Sequence, residues 1–552
     1  MLDLPELLDN VLRRLGRHDL SQCAQVNKQW HALTIPYLWR DLICIHSDNT
    51  RGKAFSRIVL EDYLQEKGSE EGPQQSSALS KYGPLIRLLP NPRDLVNALQ
   101  AQVYTQQGNE PTAHELLFHL FKHSSKAQVI SLGYEFKDPE SDEMKSILAF
   151  TLPRLRSLYI QGSLQGTRSE FFKFKSVLGL CSTTLRFLDV GMSVLRANEA
   201  ADMEDKATED ELDCWTSLEE LTLRHNHDTW DAGQFWSWIW KRCGHVNHLR
   251  VRKIGKSTPS LLQAMLAHMP NLQKITVGDY SILRDMPYLD AEMGDMPYLN
   301  AEMSDDVVAA LFSGSRHGWK SVSIWGTVNF GQESMNTLAM HYSTLEEFYI
   351  DGHCGLPSSD LVQVLKSCPH LHTLSYADSC YDCYTVHGST FVDLDPDTGL
   401  LKPWLCEGSL KSLTVKIHGI PRPNSEEEST LNVEEYPGQG REMQSQVCDR
   451  LGRLTSLESL RLHDECGALQ SDCLEMSLES GLDKLSGLKS MKELCVGRMA
   501  TKIGIKEVQW MAENWPKFSV IRGLDEDRDV EAAINAMQLE TIALSSIETT
   551  LD

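Results

Sequence analysis

Long apolar segments are missing from this 552-residue sequence: no apolar run approaches the roughly 18 residues that suggest a transmembrane helix. Asp3, Glu6 and Asp9 occupy the positions where the apolar core of a secretory signal would lie. We therefore expect no membrane association. The 14 scattered cysteines are then expected to be reduced thiols, in the cytoplasm, the nucleus or both.

Positive charge is also in short supply. The chain has 53 Lys and Arg against 77 Asp and Glu, which gives a formal net charge of −24 and an isoelectric point of about 5.2. Such a chain is repelled by phosphate backbones, so we expect no nucleic-acid partner. One basic stretch, from Lys241 to Lys256, is interpreted first as a solvated edge of the fold and second as a binding patch.

Motifs that carry catalysis or cofactor binding are absent from the sequence. It has no glycine-rich phosphate-binding loop after a strand, no HExxH helix and no GxSxG elbow. The pair Cys380-x-x-Cys383 lacks a second pair to complete a metal site, and His225 and His227 are expected to be loop residues. We therefore expect no enzyme activity, no cofactor and no metal, with a redox or metal role for the cysteine pair as the alternative.

Residues 4–42 carry apolar side chains at helical spacing and predict three short helices. Pro5 suits the first position of a helix, Asp19 is placed to cap the second helix, and Pro36 is expected to open the third. About forty residues bury too little surface to be stable alone. The unit is therefore expected either to cap the following domain or to dock onto a partner, and the helical pattern leaves both interpretations open.

The run from Leu4 to Trp39 resembles the F-box family. The matching positions are Leu4, Pro5, Leu8, Leu12, Leu15, Asp19, Leu20, Cys23, Val26, Lys28, Trp30, Pro36, Leu38 and Trp39. In that family the module binds the Skp-type adaptor of cullin–RING ubiquitin ligases. The resemblance implies an adaptor-binding set of Leu4, Pro5, Leu8, Leu20, Cys23, Val26, Trp30, Pro36, Leu38 and Trp39. The sequence departs from the family at Asn27, and its LPEL opening is one residue short.

The chain is predicted to have four parts: residues 1–45 (F-box), 46–126 (a linker and a helical segment), 127–524 (repeats) and 525–552 (a tail with a short amphipathic helix). Within the second part, residues 61–80 are polar and rich in Gly, Ser and Gln, which predicts a flexible loop.

One pattern, apolar-x-x-apolar-x-apolar, returns throughout residues 127–524. Eleven clear copies run from Leu155 to Val496, with weaker copies at Val129-Leu132-Tyr134 and Phe518-Ile521. Copies often recur after 26 residues (345 − 319 = 26), inside the range of roughly 20–29 residues for leucine-rich repeats. Helical spacing fills the intervals. The sequence therefore predicts an α/β protein: a three-helix F-box followed by a leucine-rich-repeat solenoid, a horseshoe with a parallel sheet on its concave face. The alternative is a doubly wound sheet, which so many strands of one pattern would exceed.

Longer intervals between copies of the pattern mark inserts. Residues 285–304 are a tandem duplication of ten residues, DMPYLDAEMG followed by DMPYLNAEMS. Residues 197–213 and 421–441 are acidic. All three are expected to be surface loops, with a dedicated motif in the duplication as the alternative.

The resemblance implies a substrate-recognition subunit of an SCF-type cullin–RING ubiquitin ligase. Its F-box would hold the Skp-family adaptor, and through it the cullin and RING subunits, while the repeats hold a protein substrate. The alternative is a ligase-independent interaction scaffold that uses the same adaptor.

Alternate side chains of a strand point to opposite faces, so the positions between the buried residues are expected on the concave face. Tyr and Arg are frequent binding hot spots, and the candidate substrate-binding residues are Tyr159, Arg250, Lys274, Tyr349 and Arg461. Asp189 and Thr222 are expected to project from the same face. A solvated sheet surface is the competing interpretation. The basic group of His248, Arg250 and Lys274 predicts a preference for an acidic or phosphorylated segment, or merely offsets nearby carboxylates.

Overall fold

The structure of the protein is a computed structural model. It describes residues 5–40, 50–68, 78–86, 113–124, 127–132, 155–162, 184–192, 215–225, 239–253, 259–278, 304–325, 330–351, 356–377, 386–420, 439–462, 474–496, 503–524, 534 and 540–542. The chain forms two compact units, Met1–Asn247 and His248–Asp552.

Three helices open the first unit: α1 (Pro5–Arg14), α2 (Arg17–Val26) and α3 (Lys28–Arg40). The predicted number of helices is confirmed, and Pro5 is the first residue of α1. The predicted cap of the second helix is wrong, because Gly16 is its N-cap and Asp19 lies in its first turn. A carboxylate in the first turn still interacts favourably with the positive end of the helix dipole.

The predicted start of the third helix is also wrong. The Asn27 side-chain oxygen accepts a hydrogen bond from the backbone N–H of Trp30 at 2.9 Å. This contact caps α3 at Lys28, so Pro36 lies inside the helix instead of opening it. Asn27, a departure from the F-box pattern, therefore has a structural role of its own.

In the described residues that follow, this unit contains the helices α4 (Thr50–Gly68), α5 (Ala78–Tyr82) and α6 (Ala113–His123), with a 3₁₀ turn at Gly83–Leu85. The predicted loop over residues 61–80 is wrong at both ends, since residues 61–68 belong to α4 and 78–80 to α5. Phe55, Val59 and Tyr63 are buried at four-residue intervals on the inner face of α4. Asp62 is buried beside them, and this polar residue interrupts the apolar pattern in the sequence.

Four parallel strands complete the first unit: β1 (Val129–Leu132), β2 (Ser157–Gly162), β3 (Phe187–Met192) and β4 (Glu220–His225). Their register aligns Ile130, Leu158, Leu188 and Leu221. The predicted copy Val129-Leu132-Tyr134 is therefore misplaced by two residues. The true copy begins at Ala127, which is fully buried, because a short alanine side chain suffices at that position.

Ten parallel strands form the main sheet of the second unit, in the order β5-β6-β7-β8-β9-β11-β13-β14-β15-β16. They are β5 (His248–Lys253), β6 (Lys274–Val277), β7 (Ser321–Trp325), β8 (Glu347–Asp351), β9 (Thr373–Ala377), β11 (Ser412–Thr414), β13 (Ser459–Arg461), β14 (Glu493–Cys495), β15 (Val520–Arg522) and β16 (Glu540–Ile542). A small second sheet pairs β10 (Val386–His387) with β12 (Ile417–His418) and was not predicted.

Helices alternate with these strands: α7 (Pro259–Ala267), α8 (Asp305–Phe312), α9 (Gln332–Ala339), α10 (Ser358–Ser367), α11 (Gly388–Val392), α12 (Gln439–Gly452) and α13 (Ile505–Asn514). Two 3₁₀ segments, Leu478–Ser480 and Leu482–Gly487, lie in the described part of the interval between β13 and β14. Parallel strands need such crossover connections. The predicted α/β leucine-rich-repeat architecture is confirmed.

The central apolar position of the pattern keeps one register through the second unit, from Leu249 in β5 to Ile521 in β15. Residues at the central position are buried in both units: Leu221, Ile275, Phe348, Leu374 and Leu460 are at most 1% exposed. Strand β16 lies in the predicted tail and was missed, because Thr541 occupies the central position there. Of the predicted tail helix, Ile534 is helical and buried.

Several predictions fall outside the described residues: all but the last residue of the duplication at 285–304, the insert at 197–213, most of the insert at 421–441, and Cys380, Cys383 and His227. His225 ends β4. In the part of the chain that the structure describes, none of the helices combines the length and apolarity needed to cross a bilayer.

Candidate functional site

Side chains of neighbouring strands form two rows on the face opposite the buried apolar positions. In the second unit the row of Arg250 continues through Thr276, Ser323, Tyr349, Ser375, Thr414 and Arg461. The row two residues before it contains His248, Lys274, Ser321, Glu347, Thr373, Ser412 and Ser459. The structure therefore places four of the five predicted substrate-binding residues on one face of one sheet.

The predicted basic group lies on the adjoining strands β5 and β6. Lys274 stands opposite His248, and Arg250 stands opposite Thr276 at the next pair on this face. The His248 Nε2 atom lies 3.1 Å from the Thr276 hydroxyl. Arg250 and Lys274 are exposed. The two basic residues therefore lie on the same face of adjoining strands.

Arg461 lies in a charged cluster at the C-terminal end of the sheet. Its Nη2 atom is 3.1 Å from Glu493 Oε1, and Arg522 Nε donates to the same oxygen at 2.9 Å. Two guanidinium groups share one carboxylate, so the cluster keeps a net positive charge. The Arg461 side chain is still 46% exposed.

Tyr349 is half-buried in the middle of the sheet. Burial, helped by the nearby Glu347 carboxylate, raises the pKa of its phenol. The hydroxyl group is therefore a neutral hydrogen-bond donor at physiological pH.

The corresponding strand face of the first unit is partly buried. Tyr159 stands opposite Asp189 in the register, and its ring centre lies 4.9 Å from that of Phe187. The register places Asp189 and Thr222 in the row of Tyr159, on the predicted face, but Asp189 is fully buried and Thr222 is 1% exposed. Neither Asp189 nor Thr222 is therefore accessible to a partner from this face. Tyr159 itself is half-buried.

The three N-terminal helices leave apolar groups on their surface. Leu12 and Leu20 are 2% and 4% exposed and form a small core with Thr34, whose hydroxyl donates to the Trp30 carbonyl at 2.8 Å. Among the side chains that the structure describes in these helices, the exposed apolar ones outside this core are Val11 (46%), Val26 (65%) and Leu33 (36%). A domain this small cannot cover them with its own residues.

Comparison with known proteins bears directly on these helices. The F-box-like family model matches residues 2–45. Residues 2–45 form an F-box-like domain. No curated protein matches the chain. Among solved structures, the chain is similar to the yeast Rad7–Elc1 complex, at 14% identity and a TM-score of 0.30, over 59% of this chain and 80% of that chain. It is also similar to an internalin, InlF, from Listeria monocytogenes, at 12% identity and a TM-score of 0.35, over 79% of this chain and 99% of that chain. At these TM-scores neither likeness carries an argument about function.

The predicted adaptor-binding residues occupy different environments in the F-box-like domain. Val26 is exposed, whereas six residues are half-buried: Leu8, Cys23, Trp30, Pro36, Leu38 and Trp39. Pro5 begins α1, and Leu4 lies outside the described residues. Leu20 is in the domain's own core, so any effect it has on a partner is exerted through folding.

Trp39 connects the F-box-like domain to the helices that follow it. Its ring stacks on Tyr82 at 5.1 Å and meets the edge of Phe55 at 6.1 Å. Both contacts are intramolecular, and they hold α3 against α4 and α5.

Val11 and Leu33 were not among the predicted adaptor residues, although both are exposed. The signal in the sequence is that apolar residues occupy more than one face of their helices, which the core alone does not require.

Proposed function

We propose that this protein is the substrate-recognition subunit of an SCF-type cullin–RING ubiquitin ligase in the cytoplasm, the nucleus or both. The F-box-like domain binds a Skp-family adaptor, and the strand face captures a target protein. The observation that carries the proposal is an F-box-like domain at residues 2–45 followed in the same chain by leucine-rich-repeat strands. In this proposal the chain does no bond chemistry. It tethers the target to the ubiquitin-transferring subunits, and tethering raises effective concentration to roughly the millimolar range.

The exposed apolar residues of the F-box-like domain support the adaptor contact. Fully burying an aliphatic side chain contributes roughly 1.5–3 kcal/mol. Val26 offers the largest exposed fraction, 65%, and Val11 and Leu33 offer less. Burial of all three side chains against a partner therefore makes a favourable contribution to the binding free energy.

A binding measurement with a purified Skp-family adaptor tests this contact. Val26→Asp together with Leu33→Asp should weaken binding about 100-fold or more, because two charges would enter an apolar interface. Both side chains are exposed in the free chain, so its folding should change little. Gln29→Asp adds a charge at another exposed position of α3 and serves as the control. Unchanged affinity in the double variant would refute the contact.

Co-purification with cullin distinguishes a ligase subunit from a ligase-independent scaffold. A ligase subunit recovers cullin and RING proteins together with the adaptor. Recovery of the adaptor without cullin would favour the ligase-independent scaffold.

The spacing of the candidate residues on the strand face indicates the kind of target. Arg250 and Tyr349 are three strands apart in the second unit, and Arg461 is three strands beyond Tyr349. Strands lie about 4.8 Å apart, so each step is about 14 Å. No small molecule spans both steps, whereas an extended protein segment does.

The exposed basic pair supports an acidic or phosphorylated segment as the target, since Arg binds phosphate through paired hydrogen bonds. Arg250→Glu with Lys274→Glu should abolish recovery of a phosphorylated target while adaptor binding stays unchanged. Lys506→Glu with Lys517→Glu makes the same charge change at exposed positions outside this face and is the matched control. Equal target recovery in both double variants, and after phosphatase treatment, would contradict the phosphate preference.

A further inference from the structure

Four metal-ligating side chains lie together between α4 and α6. Asp62 and Glu66 are one helical turn apart on α4, and His119 and His123 are one turn apart on α6. Residues four apart share one face of a helix, so each pair faces the other helix as a unit. The two pairs lie far apart in the chain, 57 residues from Asp62 to His119, which is why no local motif in the sequence predicted a metal site.

The donor atoms of these side chains converge. His119 Nε2 lies 2.9 Å from Asp62 Oδ2, and Glu66 Oε2 lies 3.4 Å from both His119 Nδ1 and His123 Nε2. One donor atom each from Asp62, His119 and His123 lies within 4.8 Å of the others. Donors bound about 2 Å from a tetrahedral Zn²⁺ ion are about 3.3 Å apart, so small side-chain rotations complete the site.

Neighbouring groups orient the donors before any ion binds. The Leu79 backbone N–H donates to Asp62 Oδ1 at 3.1 Å and leaves Oδ2 directed toward His119. The Tyr63 ring packs edge-on against His119 at 5.5 Å, and its hydroxyl donates to Glu115 of α6 at 2.9 Å. Supporting contacts of this kind are typical of metal sites in proteins, where they fix the ligand geometry.

Charge and burial also suit a cation. The Asp62 and His119 side chains are 3% and 5% exposed, so both donors are shielded from bulk water. Glu66 is 41% exposed and forms an ion pair with Lys122, so it lies at the solvent side of the cluster.

We infer that Asp62, His119 and His123 form a binding site for a divalent transition-metal ion, with Zn²⁺ the best match and Glu66 at the open side. Nitrogen and carboxylate donors are the ligands that Zn²⁺ takes in proteins. The ion cross-links α4 to α6. Because Trp39 of the F-box-like domain contacts Phe55 of α4, this cross-link stiffens the helices behind that domain.

Metal titration of the full chain tests the inference. After chelator treatment and desalting, the chain should bind one Zn²⁺ or Co²⁺ ion. The Co²⁺ complex should show tetrahedral nitrogen and oxygen ligation without the intense absorption of thiolate ligands, which distinguishes this site from the cysteines. Mg²⁺ should not compete, because it prefers six oxygen ligands.

His119→Ala and His123→Ala should each weaken Zn²⁺ binding by more than the roughly 10–100-fold typical for losing a supporting residue. His123 is less buried, at 17%, so its substitution should leave the fold intact by circular dichroism. His370→Ala changes an exposed histidine of the second unit and should retain the affinity of the unaltered chain. Absence of bound ion, thiolate absorption, or an affinity unaffected by both substitutions would overturn the inference. Asp62 and His119 would then be a buried hydrogen-bonded pair and no more.

Discussion

Replacing Arg450 with Ala is expected to loosen the segment between β9 and β11. Arg450 lies on α12, and its side chain is fully buried. Its Nη1 atom donates to the Lys402 carbonyl at 2.5 Å and to Glu407 Oε1 at 3.1 Å, and Nη2 donates to the Val392 carbonyl at 2.7 Å. The guanidinium group also lies 4.4 Å from the ring centre of Trp404. One side chain thus holds α12 to residues 386–407.

The size of the effect follows from these contacts. Breaking a buried ion pair costs about 3–5 kcal/mol, because the remaining charge loses its partner. Each buried acceptor left without a donor costs about 1–3 kcal/mol. Burial lowers the pKa of Arg450, although Glu407 opposes the shift. The cost of desolvating the cation therefore offsets part of the stabilisation that its contacts provide. We therefore expect Arg450→Ala to cost about 3–5 kcal/mol locally. Arg450→Lys should cost less than Arg450→Ala, because lysine keeps the positive charge. It should still destabilise the segment, because the single ammonium group cannot bond to both Glu407 and the Val392 carbonyl.

Hydrogen exchange measured by mass spectrometry is the suitable assay, since a chain of two units does not unfold in one step. A loss of this size should speed exchange in residues 386–407 and 439–452 by roughly two to four orders of magnitude. Arg453→Ala is the matched control, because Arg453 directly follows the end of α12 and its hydrogen bond to the Leu401 carbonyl, at 3.2 Å, lies at the surface. Equal exchange rates in the two alanine variants would refute the role assigned to Arg450.

Three further predictions concern the strands and helices of the second unit. Gly278→Ala should destabilise the end of β6 by about 1–3 kcal/mol, because Gly278 has φ 96° and an added Cβ would lie 1.8 Å from the Trp325 carbonyl oxygen. Proteolysis of the variant no faster than that of the unaltered chain would contradict this prediction. Burial raises the pKa of Asp305, but hydrogen bonds from the first turn of α9 outweigh burial and lower the pKa overall. The carboxylate therefore stabilises α9 at pH values above its ordinary pKa. This stabilisation is lost as the pH falls through the lowered pKa. Asp305→Asn should remove the acid-dependent rise in hydrogen exchange of α9, and an unchanged pH profile would exclude the effect. Trp319→Phe should cost about 0.5–1.5 kcal/mol, because the Phe312 carbonyl loses the indole donor at 2.7 Å but keeps the contact with His341 Nε2 at 3.0 Å. Thermal unfolding at an unchanged temperature would count against it.

The repeated strands could be predicted from the sequence because their buried positions recur at a fixed offset within each copy. Leu158, Leu221, Phe348 and Leu460 all stand at the central position of the pattern, and all are buried. The three N-terminal helices and their F-box resemblance could also be predicted, since both depend on local spacing. These features are encoded by residues close together in the chain.

Tertiary structure alone decided the features that depend on distant residues. Thr541 enters a strand because β15 lies beside it and supplies hydrogen bonds, although its own side chain predicts no buried position. Asp189 is fully buried although it shares a strand face with Tyr159, and alternation along one strand does not encode that burial. Asp62 and His119 meet only when α4 packs against α6. Local spacing determines which residues can form an element, whereas burial and charge contacts depend on which elements the folded chain brings together.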